Sequence, residues 1–218
     1  MKQEEYLAAM GIQVWKTKNI DKIIEINHSI NETTSSEEAW QILQQQVSAC
    51  TKCELHKSRN NTVFGIGNKQ AKLLIVGEAP GATEDEQGKP FVGRAGMLLD
   101  SMLKSIGLKR EEVFIANILK CRPPNNRDPL SEEVKVCTPY LNQQIALLQP
   151  KMIVALGRIA ASFLLGLDSS LGSMRGIIHH YGEEKTPLLV TFHPAYLLRS
   201  PREKMRAYDD WLKIQSML

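Results

Sequence analysis

Apolar residues recur along the chain in two alternating patterns. Ser35-x-x-Glu38 has the form of a capping box, and Trp40, Leu43 and Val47 follow at helical spacing. Lys72–Val76 (KLLIV) is a short, β-rich apolar run, which predicts a buried strand. Glu78–Gly93 is rich in Gly, Pro and acids and reads as a long loop. A helix is expected over Arg94–Ile106, with Leu98, Met102 and Ile106 on one stripe and Gly107 as its stop. Further strands are predicted at Glu112–Leu119, Met152–Leu156 and Leu188–Phe192. Helices are expected at Ser131–Leu148 (with an irregularity at Pro139), from about Arg158 to Leu165, and at Arg202–Met217. The last of these places Met205, Tyr208, Leu212 and Gln215 on one side. The prolines of Arg122–Pro129 require a loop.

Strands alternating with helices imply an α/β fold with a mainly parallel sheet. In such sheets ligands bind beyond the carboxyl ends of the strands. Glu78, Asn117 and His193 all fall at such ends, so the topology is expected to gather residues far apart in sequence. Residues 1–34 read as an extension able to form one or two short helices, with a polar linker at Asn27–Ser36; the compact domain is expected over 35–218.

Composition narrows the class. With 218 residues, 43% hydrophobic and 23% charged, the chain is neither disordered nor fibrous. A formal net charge of +3 neither demands nor excludes a nucleic-acid partner. No apolar run reaches the ~18 residues of a membrane span, and the acidic start does not resemble a signal peptide. A soluble cytoplasmic protein with no membrane partner is the expectation.

Four cysteines, Cys50, Cys53, Cys121 and Cys137, suit a single four-thiolate site. Zinc and an iron–sulfur cluster both accept such ligands; the wide second pair suits the larger cluster better, and buried unligated thiols are the bland alternative. In the loop after Gly77, Phe91 offers a flat face, and Gly93-Arg94-Ala95-Gly96 opens a helix whose free N–H groups can hold an anion. Glu84, Asp85 and Glu86, with Glu78 and His193, admit a second chemistry: a divalent metal for phosphoester hydrolysis. The tip His193-Pro-Ala-Tyr-Leu197-Leu198-Arg199 joins an apolar wedge to a cation, a combination able to enter a duplex; core leucines are the plainer reading.

Taken together, Cys50-x-x-Cys53, GEAPG at 77–81, PFVGRAG at 90–96, Asn117 in ANILKCRPP, Cys137 and HPAYLLR at 193–199 resemble the family 4 uracil-DNA glycosylases, the iron–sulfur branch of their superfamily. The resemblance covers about residues 36–217. It implies a three-layer α/β/α domain and a [4Fe–4S] cluster on Cys50, Cys53, Cys121 and Cys137. It also implies excision of uracil from DNA, with an abasic site left behind, by a monomer. Gly77, Glu78, Ala79, Glu84, Phe91, Asn117 and His193 would surround the base. Phe91 would stack on it, Asn117 read its edge, Glu84 exclude a C5 methyl and His193 hydrogen-bond O2. Glu78 is the candidate for positioning water, since Ala79 stands where the best-known branch has an Asp. Arg94, Leu198 and Arg199 would contact DNA, with Arg122, Arg127 and Arg202 as further phosphate partners. A cluster- or zinc-stabilised binding module and a metal-dependent nuclease are the competing functions.

Overall fold

The computed structural model describes residues 35–218. The expected helices and linker of residues 1–34 lie outside the described residues. Residues Trp40–Leu218 form one compact unit.

The sheet has six strands in the order β1-β3-β2-β4-β6-β5. The elements are β1 (Ile66–Gly67), β2 (Leu73–Gly77), β3 (Phe114–Asn117), β4 (Met152–Leu156), β5 (Ile178–Tyr181) and β6 (Thr186–Thr191). The four central strands run parallel, and the two edge strands pair antiparallel. Every residue of β2, β3 and β4 is buried, the signature of strands covered on both faces. Alternation along each strand feeds two cores. Leu74, Val76, Ile153 and Ala155 pack with α1 (Ser36–Ser48, through Trp40, Leu43 and Val47), α4 (Ser131–Leu148) and α5 (Arg158–Leu165). Leu73, Ile75, Met152 and Val154 pack with α3 (Arg94–Ser105) and α8 (Lys204–Met217) on the other face. This is the expected three-layer α/β/α arrangement.

Strands β1 and β5 have no counterpart in the sequence reading. Two residues are too few to show alternation, and Ile-His-His-Tyr on a half-exposed edge has no apolar run. The supposed loop 78–93 contains a short helix, α2 (Ala82–Gln87), capped by Gly88 in the left-handed region. Pro139 does not interrupt α4, which runs continuously. The buried stripe of α3 is Leu99, Met102 and Leu103, one position on from the expected Leu98. In α8 the buried face is Ala207, Asp210, Trp211 and Ile214, so the Met205–Tyr208–Leu212 side faces solvent. Trp211 outweighs three flexible apolar residues in choosing the face, because it removes the most surface from water. Two short helices, α6 (Leu171–Met174) and α7 (Pro194–Arg199), complete the layers. No helix of the described residues is long and apolar enough to cross a membrane.

The order of connections places a switch point beside β2. From β2 the chain passes to β3 on one side, then returns to β4 on the other. A crevice therefore opens at the carboxyl ends of these strands.

Candidate active site and thiolate centre

That crevice holds a cavity of about 550 Å³, within the range of small-molecule sites. Its wall includes Glu78 and Ala79 beyond β2, Asn117 at the end of β3, and Leu156 and Gly157 at the end of β4. His193 beyond β6, Gly81, Glu84, Phe91 and Arg199 also line it. Glu78, Asn117 and His193, separated by up to 115 positions, thus meet as the topology predicts.

Asn117 is 2% exposed, and its Oδ1 is buried without a hydrogen-bond partner. Leaving such an acceptor unpaired costs about 1–3 kcal/mol, so the native state carries a standing demand for a donor. The amide is hemmed in from behind. A Cβ on Gly77 would lie 2.4 Å from Asn117 Oδ1 and 2.7 Å from Phe91 Cζ, so only glycine fits there.

Phe91 sits at φ 52°, a left-handed backbone that a bulky residue adopts at a cost of about 1–3 kcal/mol. Three contacts hold it there. Glu84 Oε1 accepts from the amides of Val92 (3.0 Å) and Gly93 (3.2 Å). The Arg110 guanidinium donates to the Pro90 carbonyl. Gly96 lets the Phe91 carbonyl approach so closely that a Cβ would lie 1.8 Å from it. The result is an aromatic ring 5.6 Å from the His193 ring and tilted 33° to it, beside the cavity.

His193 caps α7, and its Nδ1 accepts from the Ala195 amide at 3.1 Å. In a neutral ring that contact assigns the proton to Nε2, making it a donor. Burial, reinforced by the Arg199 guanidinium and opposed by Glu84, pushes its pKa down to about 4. The imidazole is therefore neutral at pH 7. Glu78 shifts the opposite way. Burial and the neighbouring Asp128 raise its carboxyl to about 7, with Arg158 opposing. The cavity thus holds a neutral donor and a carboxyl poised near physiological pH.

The acidic triplet does not form a cation site. Asp85 is buried, and its carboxylate accepts from Asn60 N at 3.0 and 3.2 Å, Asn60 Nδ2 at 2.8 Å and Asn61 N at 3.3 Å. Glu84 is spent on the Phe91 loop. These two carboxylates fasten loops, and the nuclease reading loses its ligands.

The four cysteines are free thiols that share one small cavity with Arg59, Lys120 and Tyr140. Cys50 and Cys53 follow α1, Cys121 follows β3 and Cys137 lies on α4. Among the described residues no three His, Cys, Asp or Glu side chains are grouped so as to hold a single ion. Four thiols around one space are a donor set that both a metal ion and an iron–sulfur cluster accept. The donor chemistry agrees. Arg59 Nη1 donates to Cys121 Sγ at 3.1 Å, and the Lys120 amide donates to Cys137 Sγ at 3.2 Å. Burial pushes the Cys137 thiol up to about 11, against the pull of Lys120. It also raises Cys121, against Arg59. Positive partners and N–H donors are what buried thiolates require.

Other expectations fare differently. Leu197 is 1% exposed and belongs to the core, so it is no wedge. Leu198 is half-buried, while Arg94 and Arg199 are exposed. Arg127 is committed to the buried Glu133 carboxylate, at 2.9 Å through Nη1. Arg122 Nε donates to Asn126. The sequence reading missed Asp128 and Arg158, which line the cavity and act on Glu78. It also gave no role to Lys120 or Gln144; both are fully buried. A lysine between Leu119 and Cys121, at a strand's end, was the available signal.

The uracil DNA glycosylase superfamily is the family whose model matches this chain, over residues 64–213, and its class is the one that this sheet and cavity define. A type-4 uracil-DNA glycosylase of Archaeoglobus fulgidus is 45% identical over 78% of this chain and 88% of its own length. Those of Thermotoga maritima (46%; 78% and 88%) and Pyrobaculum aerophilum (48%; 74% and 85%) are similar. The chain belongs to the type-4 family of that superfamily.

Proposed function

We propose that this protein is a DNA-repair glycosylase: it receives a uracil everted from DNA, hydrolyses the N-glycosidic bond, and releases free uracil with an abasic site left behind. The observation that carries this reading is the buried, partnerless Oδ1 of Asn117 on the cavity wall.

A pyrimidine with an N3–H supplies the missing donor, and the Asn117 Nδ2 group donates to O4. Cytosine, with a bare N3 and an amino group, offers the reverse pattern and leaves the amide unmatched. Phe91 supplies the stacking face, pre-set by its strained loop. Glu84 sits where the resemblance places the residue that crowds C5, and its two amide contacts hold it there.

Cleavage puts negative charge on the departing base. His193, neutral and with its proton on Nε2, donates to O2 without first having to lose or gain a proton. A donor fixed in advance and aimed at developing charge is the expected source of rate. Glu78, with its carboxyl near 7, is the group to orient water toward the sugar, sharpened by Asp128 and moderated by Arg158. Leu198, Arg94 and Arg199 are proposed to meet the DNA outside the cavity.

Cys50, Cys53, Cys121 and Cys137 would hold a [4Fe–4S] cluster. When bound, it supplies iron–thiolate bonds that fasten three chain segments together. Within this reading the enzyme acts as a cytoplasmic monomer.

Base selection tests the assignment. Asn117→Asp should weaken excision of uracil and admit cytosine, since a carboxylate accepts from an amino group. Single-turnover assays on matched uracil and cytosine oligonucleotides report both rates. Unchanged rate and selectivity would remove Asn117 from the role.

A further inference from the structure

We propose that Lys120 and Gln144 form a strut that aims Asn117 and ties base recognition to the helix carrying Cys137. This rests on the reading of Asn117 as the base-contacting residue.

Lys120 is 1% exposed and Gln144 is 0% exposed. A buried ammonium is expensive unless it is hydrogen-bonded. Lys120 Nζ donates to the Asn117 carbonyl at 2.9 Å and to Gln144 Oε1 at 2.6 Å. Gln144 Nε2 in turn donates to the Phe64 carbonyl at 2.9 Å. The main chain of Lys120 is held as well: its amide donates to Cys137 Sγ at 3.2 Å, and its carbonyl accepts from Val63 N at 2.7 Å. Cys137 and Gln144 are both buried residues of α4, seven positions and two turns apart, hence on one face. One lysine is therefore pinned to that face twice, once through its backbone and once through its side chain.

The pinning acts on a single peptide group. Asn117 is the last residue of β3, paired with Gly77 at the end of β2. The carbonyl of the Asn117–Ile118 peptide is held by Lys120, and its N–H donates to the Gly77 carbonyl at 3.0 Å. With both ends of that plane fixed, the backbone from which the Asn117 side chain projects is held although its own Oδ1 has no partner. A side chain kept free for ligand needs its backbone held by something else, and Lys120 supplies that hold. Both residues are positioning residues; neither lines the cavity.

The test uses iron-loaded full-length protein carrying Lys120→Met or Gln144→Leu. Iron content, melting temperature, affinity for free uracil by ligand-observed NMR and affinity for an abasic-site oligonucleotide are measured for each. Lys120→Met should keep its iron and bind abasic DNA within about twofold of wild type, yet bind uracil about tenfold more weakly, as expected for a lost charged hydrogen bond. Gln144→Leu should follow in the same direction by about threefold, since Lys120 keeps its Asn117 contact. Uracil affinity unchanged in iron-loaded Lys120→Met overturns the strut. So does parallel loss of uracil and DNA affinity with iron or melting temperature in both variants, which marks a structural role. If Lys120→Met alone fails to load iron, Gln144→Leu decides on the same two affinities. Wild-type protein that does not bind uracil at all would sink the functional reading instead, which keeps the two failures distinct.

Discussion

The cavity and the thiolate centre lie at opposite ends of the Asn117–Cys121 segment, and they treat polar atoms in opposite ways. In the cavity, Asn117 Oδ1 has no partner, Phe91 is strained, and two titratable groups are displaced toward neutrality. At the thiolate centre, two sulfurs receive N–H donors and a buried lysine shares its protons with two carbonyl oxygens. Satisfied groups hold a structure together, whereas an unpartnered acceptor on a cavity wall is open to a ligand. On the proposed reading, the contrast separates what recognises the base from what keeps the recogniser in place.

The largest effect should come from breaking that contrast on the cavity side. His193→Ala removes the donor proposed to face the departing base and should lower the single-turnover rate by ~10²–10³, with DNA affinity nearly unchanged. Equal loss in binding alone would contradict the assignment. Next comes Glu78. If its carboxylate orients water, the wild-type rate should climb as pH rises through about 7 and level off above, because the active form is the deprotonated one. Glu78→Gln should flatten this rise and lower the plateau by at least ~10²-fold. His193, neutral above about 4, should impose no acid limb over that range. A pH–rate profile that is flat in wild type refutes this role for Glu78.

On the other side, Cys137→Ala should cost stability before it costs chemistry. The purified variant should lose the brown colour of a thiolate-bound cluster and melt at a lower temperature. A colourless, zinc-loaded wild type with full activity would replace the cluster with a single ion. Smallest of all is Glu84→Gln, which keeps an oxygen able to accept from Val92 and Gly93. Its stability should stay within about 0.5 kcal/mol of wild type, measured by denaturant unfolding, while Glu84→Ala loses about 1–2 kcal/mol.

Much of this was legible in the sequence because it depends on strand ends. KLLIV and MIVAL announce buried parallel strands, and such strands dictate that Glu78, Asn117 and His193 converge. Glycine positions were visible, yet their reason was not: only coordinates show that Gly77 makes room for Asn117 and Phe91. Short edge strands left no periodic trace. The face of α8 was misread because spacing ranks Met205, Tyr208 and Leu212 with a core, and a single Trp211 decides otherwise. Leu197 followed the same logic in reverse, since a tip motif cannot show which leucine turns inward. Asp128 acts on Glu78 across 50 positions and Lys120 meets Gln144 across 24, and no local pattern carries such distances.

The central claim is that the cavity excises an everted uracil. The full-length protein should be incubated with a uracil-containing oligonucleotide in the presence of a chelator, and free uracil measured by mass spectrometry, with alkali-induced scission of the strand as a second readout. The account predicts stoichiometric release of uracil, one abasic site per base freed, and none from the matched thymine or cytosine strands. Intact DNA with no liberated uracil, or cleavage that disappears with the chelator, would contradict it.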